Sequence, residues 1–235
     1  MSNEIETRAY ERNQSATFRK TAEQFGGLSN MAPGYPLIVN SIEFLTSEAL
    51  YQACRFPHRP EVQKIIIEQR SPMTAKMKSK LYRNDSRPDW LDVRVKIMRW
   101  CLQMKLIQHW DKFSQLLLST GKQPIVEDSR KDDFWGAKSQ TSKVLVGKNV
   151  LGRLLMGLRE DIELGNRLGS VAPLEIPNFL LFNEKILPVN SSNSEELDSS
   201  DLKTDHPKQS TSSSCPLFEF AGIQPPIKEE KNNKK

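Results

Sequence analysis

The run PDWLDVRVKIMRWCLQMKLIQHW, residues 88–110, constrains the fold more than any other stretch. Pro88 stands where a helix tolerates proline best, at its first turn. No proline or glycine interrupts residues 89–110, and Trp90, Val93, Ile97, Cys101 and Met104 recur at helical spacing. A helix with one long apolar face has to be covered by other elements. Thr46 and Ser47 are N-cap residues for SEALYQACRF, which must stop before Pro57. Pro60 opens PEVQKIIIEQR, and Ser71-Pro72 opens PMTAKMKSK. KFSQLLLST ends at Gly121. Asn149 precedes VLGRLLMGLREDI as a cap, with Val150, Leu151, Leu154, Leu155, Leu158 and Ile162 on one stripe and Gly165 as the stop. Strand signals are fewer. PIVE (124–127) reads as a buried strand, and YPLIV and IEFLT as a hairpin turning at Asn40-Ser41. The expected class is α+β, a predominantly helical single domain with a short sheet.

The boundaries of that domain follow from composition. Residues 1–17 are polar and without period, and predict a flexible arm. Residues 18–165 hold the strong patterning. Residues 166–189 carry a short apolar stretch expected to dock on the core. Residues 190–235 are Ser-rich and charged, which predicts disorder, apart from an apolar island at 215–227. No apolar run reaches the roughly 18 residues of a membrane span, and the N-terminus has no apolar signal core. Three cysteines, Cys54, Cys101 and Cys215, form no CxxC pair, which argues against a disulfide framework and for the cytoplasm. The net charge of +5 is uneven: residues 53–112 hold 14 Lys+Arg against 6 Asp+Glu. That excess suits an anionic partner, or a solvated surface.

Three short elements carry chemistry-bearing residues. Glu48, Gln52 and Arg55 share one helical face, with Tyr51 beside it. A carboxylate, an amide, a phenol and a guanidinium in a row suit a sugar–phosphate ligand, although on pattern alone a solvated polar face is the commoner case. The segment IVEDSRKDDFWGA places Glu127, Asp128, Asp132 and Asp133 beside Trp135 and Gly136. Carboxylates at a strand end beside an indole can stabilise an oxocarbenium-like transition state while the ring stacks on a base or sugar; an acidic turn over a structural Trp has the same pattern. FGGLSNM offers close backbone approach and, at Asn30, a hydrogen-bonding edge, without being a known phosphate loop. Lys76, Lys78, Lys80, Arg83 and Arg87 form a basic run for phosphates or solvent. Trp90, Trp100 and Trp110 read as core. His58, His109 and His206 show no metal-ligand spacing, and no cofactor is implied; a magnesium site built of carboxylates stays open.

These motifs together resemble the NADAR family, which includes the YbiA-like proteins. FGGLSN, TSEALYQACRF, SPMTAKMKSK, the helix from RPDW, TGKQPIVE, DDFWGA and GKNVLGRLLMGLRE occur in the family's order over residues 18–162. The resemblance implies hydrolysis of an N-glycosidic bond. One branch acts on phosphoribosylated aminopyrimidines of riboflavin biosynthesis. Another resembles the DarG-type antitoxins, which remove ADP-ribose from guanine bases in DNA. SEALYQACRFPH looks closer to the second. The implied substrate is then an ADP-ribosylated guanine nucleic acid or nucleotide, with an ADP-ribosyltransferase toxin as genetic partner and no membrane. A non-catalytic ADP-ribose or NAD-binding module is the remaining alternative. The resemblance carries functional roles onto Asn30, Glu48, Glu127, Asp132, Trp135, Gly136, Asn149 and Gly152. Two departures matter: Ala49 replaces a usual His, and Arg55 replaces a usual Lys. A lysine imine to the opened ribose is associated with the family, and a guanidinium cannot form one at neutral pH. If that chemistry operates, Lys76, Lys78 or Lys80 supplies the amine; otherwise Glu48 or Asp132 supports direct hydrolysis.

Overall fold

The computed structural model describes residues 5–191. The order is β1 (Arg8–Glu11), β2 (Ala16–Phe18), β3 (Leu37–Val39), β4 (Ile42–Phe44), then α1 (Ser47–Ala53), α2 (Pro60–Ile67), α3 (Pro72–Leu81), α4 (Trp90–Gln108) and α5 (Trp110–Leu118). Next come β5 (Ile125–Glu127), β6 (Lys138–Ser139), β7 (Val144–Gly147) and α6 (Val150–Glu163). The described chain ends with β8 (Ser170–Val171), β9 (Leu180–Leu181), β10 (Glu184–Lys185) and β11 (Val189–Asn190). The class is α+β with helices dominant. The strands make several small sheets rather than one: β1-β7-β6, β2-β5, β3-β4, β9-β10 and β8-β11.

α4 is the axis. Ile97, Met98, Trp100, Cys101, Leu102 and Met104 are fully buried, packing against α1, α5 and α6. Each large apolar side chain so buried contributes about 1.5–3 kcal/mol by removal from water. Prolines open α2 and α3 at their first turns. Thr46 caps α1 by accepting a hydrogen bond from the Ala49 N–H at 3.3 Å. The β3–β4 hairpin turns through Asn40 and Ser41, both at positive φ (51° and 61°), the pairing that a primed turn requires.

Three expectations need correction. The arm at 1–17 is ordered from its middle onward: β1 pairs antiparallel with β7, and β2 pairs parallel with β5 in the register Ala16–Ile125 to Phe18–Glu127. The long helix read over 88–110 ends two residues earlier than expected, at Gln108, because His109 leaves helical geometry (φ −133°, ψ 44°), and the separate KFSQLLLST helix starts at Trp110 as α5. Asn149 precedes α6 in left-handed geometry without capping it. Its amide instead donates to the Ile125 carbonyl at 2.8 Å and accepts from the Glu127 N–H at 3.2 Å, tying α6 to β5. Trp90 is buried in the main core, as read, and also lines a cavity. Residues 166–189 pack on the core through Val171, Phe179, Leu181, Ile186 and Val189. The expected disorder of 192–235 and the island at 215–227 lie outside the described residues, as do Cys215 and His206. No helix among the described residues is long and apolar enough to cross a membrane.

Candidate active site

α1, α3, α4, β5 and the loops after β2 and β5 enclose a cavity of about 510 Å³. Its lining includes Asn30, Glu48, Tyr51, Gln52, Arg55, Lys76, Glu127, Asp132 and Trp135. Residues separated by more than a hundred positions in sequence therefore meet at one place.

Glu48 is the best-held group. It is 2% exposed and sits in the first turn of α1. The face it shares with Gln52 is thus sealed by distant residues, not solvated. One carboxylate oxygen accepts from the Asn30 amide, and the other from Gln52 Nε2 at 3.0 Å. Gln52 Oε1 is oriented in turn by Ser79 Oγ at 2.9 Å. The Glu48 N–H donates to the Asn30 carbonyl at 2.8 Å, so side chain and backbone of the two residues are both engaged. Lys76 Nζ stands 3.8 Å from Glu48 Oε1. A carboxylate with this many donors is fixed in orientation.

Glu127 is treated oppositely. It ends β5 with its carboxyl turned into the cavity, and no donor to that carboxyl occurs among the described residues. Burial pushes its pKa up to about 7; nearby Asp132 and Glu48 push the same way, and Lys76 pulls it down. The two carboxyls thus face one cavity in unlike environments, Glu48 held by amide donors and Glu127 buried without one, an arrangement suited to an acid paired with a base. Asp132 also lines the cavity. Its Oδ1 accepts from the Phe134 and Trp135 N–H groups at 3.0 and 2.9 Å, which shapes the loop that presents Trp135.

The opposite end is cationic. Arg55 lies in the turn just past the end of α1 and lines the cavity. Its Nε donates to Ser86 Oγ at 2.6 Å, and its guanidinium lies 5.1 Å from the Trp90 ring. Burial, then the fields of Arg83 and Arg94, lower its pKa. Arg94 stacks on Phe134 at 3.7 Å, and its Nε is buried without a hydrogen bond. Between the two ends, Tyr51 contacts Trp90 at 5.0 Å and Trp135 edge-on at 5.7 Å. Burial and Glu48 raise the Tyr51 pKa well above its ordinary value, so the phenol keeps its proton.

The cavity therefore gathers Asn30, Glu48, Tyr51, Gln52, Arg55, Lys76, Glu127, Asp132 and Trp135 from the sequence-derived candidates. Gly136, Asn149 and Gly152 do not line it. A Cβ on Gly136 would meet the Glu127 carbonyl at 2.5 Å, and one on Gly152 the Ile125 carbonyl at 2.0 Å. They let β5, α6 and the Trp135 loop pack closely enough to aim Glu127. Lys78 and Lys80 are exposed on α3, away from the lining. Of the three lysines only Lys76 reaches the carboxylates. Arg83, marked in the sequence only as part of a basic run, also lines the cavity, and Trp90 and Arg94 escaped the sequence reading as site residues. Trp90, Arg94 and Met98 run at i, i+4, i+8 on α4, and a cation set into an apolar stripe was the available signal.

The sequence and fold are similar to those of known proteins. The family model described as "NADAR domain" matches residues 17–163, more than half of the chain, and the chain belongs to the NADAR family. It is 34% identical to the N-glycosidase YbiA of Shigella boydii, over 63% of this chain and 88% of that one. It is 32% identical to a riboflavin biosynthesis protein of Vibrio vulnificus, over 64% of this chain and 39% of that one. The solution structure of Escherichia coli YbiA superposes with a TM-score of 0.55 at 31% identity, covering 66% of this chain and 92% of that one.

Proposed function

We propose that this chain is an N-glycosidase that hydrolyses the bond between a base nitrogen and C1′ of a phosphorylated ribose. The observation that carries the reading is the pairing of Glu48, fixed by the Asn30 and Gln52 amides, with Glu127, whose pKa burial pushes up to about 7. Water attacks C1′ and the C1′–N bond breaks. The bonding pair goes to the base nitrogen, which takes the Glu127 proton, while Glu48 accepts a proton from the water. Charge building on the ribose in an oxocarbenium-like transition state is stabilised by Glu48. Tyr51, Trp90 and Trp135 form an aromatic wall for the base. Arg55, Arg83 and Arg94 hold phosphate at the far end.

We infer that the ribose belongs to ADP-ribose and the base to a guanine in nucleic acid. Two features support this. Three arginines serve a diphosphate better than a single phosphate. Helix α3, which carries Lys76 into the cavity, also exposes Lys78 and Lys80 beside Met77 and Leu81, a surface suited to flanking nucleotides. The name of the Vibrio vulnificus relative favours a second substrate, a phosphoribosylated aminopyrimidine of riboflavin biosynthesis. Single-turnover assays on both substrates separate the readings. Free ADP-ribose and the unmodified oligonucleotide are the expected products. Faster cleavage of the aminopyrimidine overturns the finer assignment, and tight binding without cleavage makes the chain a binding module.

A further inference from the structure

Lys105 has no part in the chemistry above, yet it is 1% exposed in the last turns of α4. Its ammonium has no carboxylate partner among the described residues. It donates to the Gly27 carbonyl at 2.5 Å and the Ser29 carbonyl at 3.1 Å. The Tyr35 and Phe113 rings enclose it, with centroids at 4.1 and 4.3 Å. Burying an ammonium without a counter-ion costs several kcal/mol, which carbonyls and ring faces offset only in part. Burial and neighbouring Lys112 accordingly push its pKa well below 10.5. A methionine of similar length would fill the same space without that cost, so a lysine here points to work that its hydrogen bonds do.

The two carbonyls belong to the 3-10 turn Gly26–Leu28 and the residue after it. The next residue is Asn30, whose amide and carbonyl both grip Glu48. That turn is closely packed on its other sides. A Cβ on Gly26 would lie 2.4 Å from the Thr21 carbonyl, and one on Gly27 would lie 2.6 Å from Leu116. Lys105 thus pins the segment from beneath, one residue before the side chain that orients the carboxylate.

We propose that Lys105 is a positioning residue for the glycosidase reaction, acting through Asn30 on Glu48. This rests on the function proposed above, and the test separates the two. Lys105→Met leaves two buried carbonyls short of a donor and lets Asn30 drift. A displacement on the scale of 1 Å costs up to about 100-fold in rate, so kcat should fall about 10- to 100-fold with KM within about two-fold. Lys105→Gln keeps one amide donor, should fold if the methionine variant does not, and should fall between the two.

The deciding readout is a double-mutant cycle. In an Asn30→Ala background, Lys105→Met or Lys105→Gln should cost little further rate, because the route to Glu48 is already cut. Additive losses would show a stabilising lysine only and overturn the proposal. Hydrogen exchange of the Asn30 side-chain amide reads the same coupling without turnover: protection should be lost in the Lys105 variants. Unchanged protection overturns the positioning role. Absence of wild-type cleavage on every N-riboside overturns the proposed function and leaves this exchange result standing.

Discussion

Glu127 offers the sharpest test, because its two roles pull in opposite directions. Its pKa rises from the ordinary 4.5 to about 7, with burial as the main cause. Because the folded value lies above the unfolded one, the folded state keeps an extra proton between these values. Stability therefore falls as pH rises through that window and is lowest above it. At about 1.4 kcal/mol per unit, the penalty above pH 7 is at most about 3 kcal/mol, lessened by whatever water reaches the carboxyl. Glu127→Gln has no charge to bury. It should be up to about 3 kcal/mol more stable than wild type at pH 8.5, measured by urea denaturation, with the difference vanishing near pH 4. In the same variant the rate should fall about 10²- to 10⁴-fold, the range for a lost general acid. In wild type, kcat/KM should decline above pH 7 as the proton leaves. Lys76→Met removes the one cation that lowers this pKa and should move that limb to higher pH. Asp132→Asn removes a charge that raises it and should move the limb lower. Equal stability of Glu127→Gln and wild type at both pH values, with an unmoved limb, would refute the reasoning.

Glu48→Gln should keep the circular-dichroism spectrum while lowering kcat by about two to four orders of magnitude; an unchanged kcat removes Glu48 from the chemistry. Asn149→Ala strips one donor from the Ile125 carbonyl and one acceptor from the Glu127 N–H. It should cost about 1–3 kcal/mol in chemical denaturation, and a neutral result would show that those bonds are dispensable. Borohydride added during turnover should leave Lys76 unmodified by mass spectrometry, since water is the nucleophile here; a reduced sugar adduct on Lys76 would replace hydrolysis by an imine route. Lys78→Ala with Lys80→Ala should weaken oligonucleotide binding and flatten its salt dependence by about two phosphate contacts' worth, at about 0.9 per contact on duplex DNA, while free ADP-ribosyl guanosine is cleaved as before. Equal losses on both substrates would move these lysines from the surface into the site.

Local signals in the chain were faithful where a residue's effect is local. Prolines 60 and 72 start helices and Asn40-Ser41 makes the hairpin turn because φ preferences act on the residue itself. The strands β1 and β2 were illegible because they are three or four residues long and owe their existence to β7 and β5, more than a hundred residues away. The two helices around His109 were both legible, but the end of the first was set two residues late because apolar periodicity continues across the break. The site followed the same division. Glu48, Gln52 and Tyr51 stand out on one short helix, but their burial depends on Asn30, Ser79 and Lys76 arriving from elsewhere. Asn149 looked like a cap because Asn favours that position, and its actual partners lie on β5. The family resemblance named Glu127 and Asp132; the unequal environments that distinguish an acid from an anchored carboxylate exist only in three dimensions.

The most direct measurement is cleavage of ADP-ribosyl guanosine and of the phosphoribosylated aminopyrimidine in heavy-oxygen water, read by mass spectrometry. The account predicts guanosine from the first substrate or the free aminopyrimidine from the second, together with a phosphorylated ribose carrying one heavy oxygen at C1′, with all products lost in Glu48→Gln and Glu127→Gln. Cleavage of neither substrate, or cleavage undiminished in both variants, would contradict it.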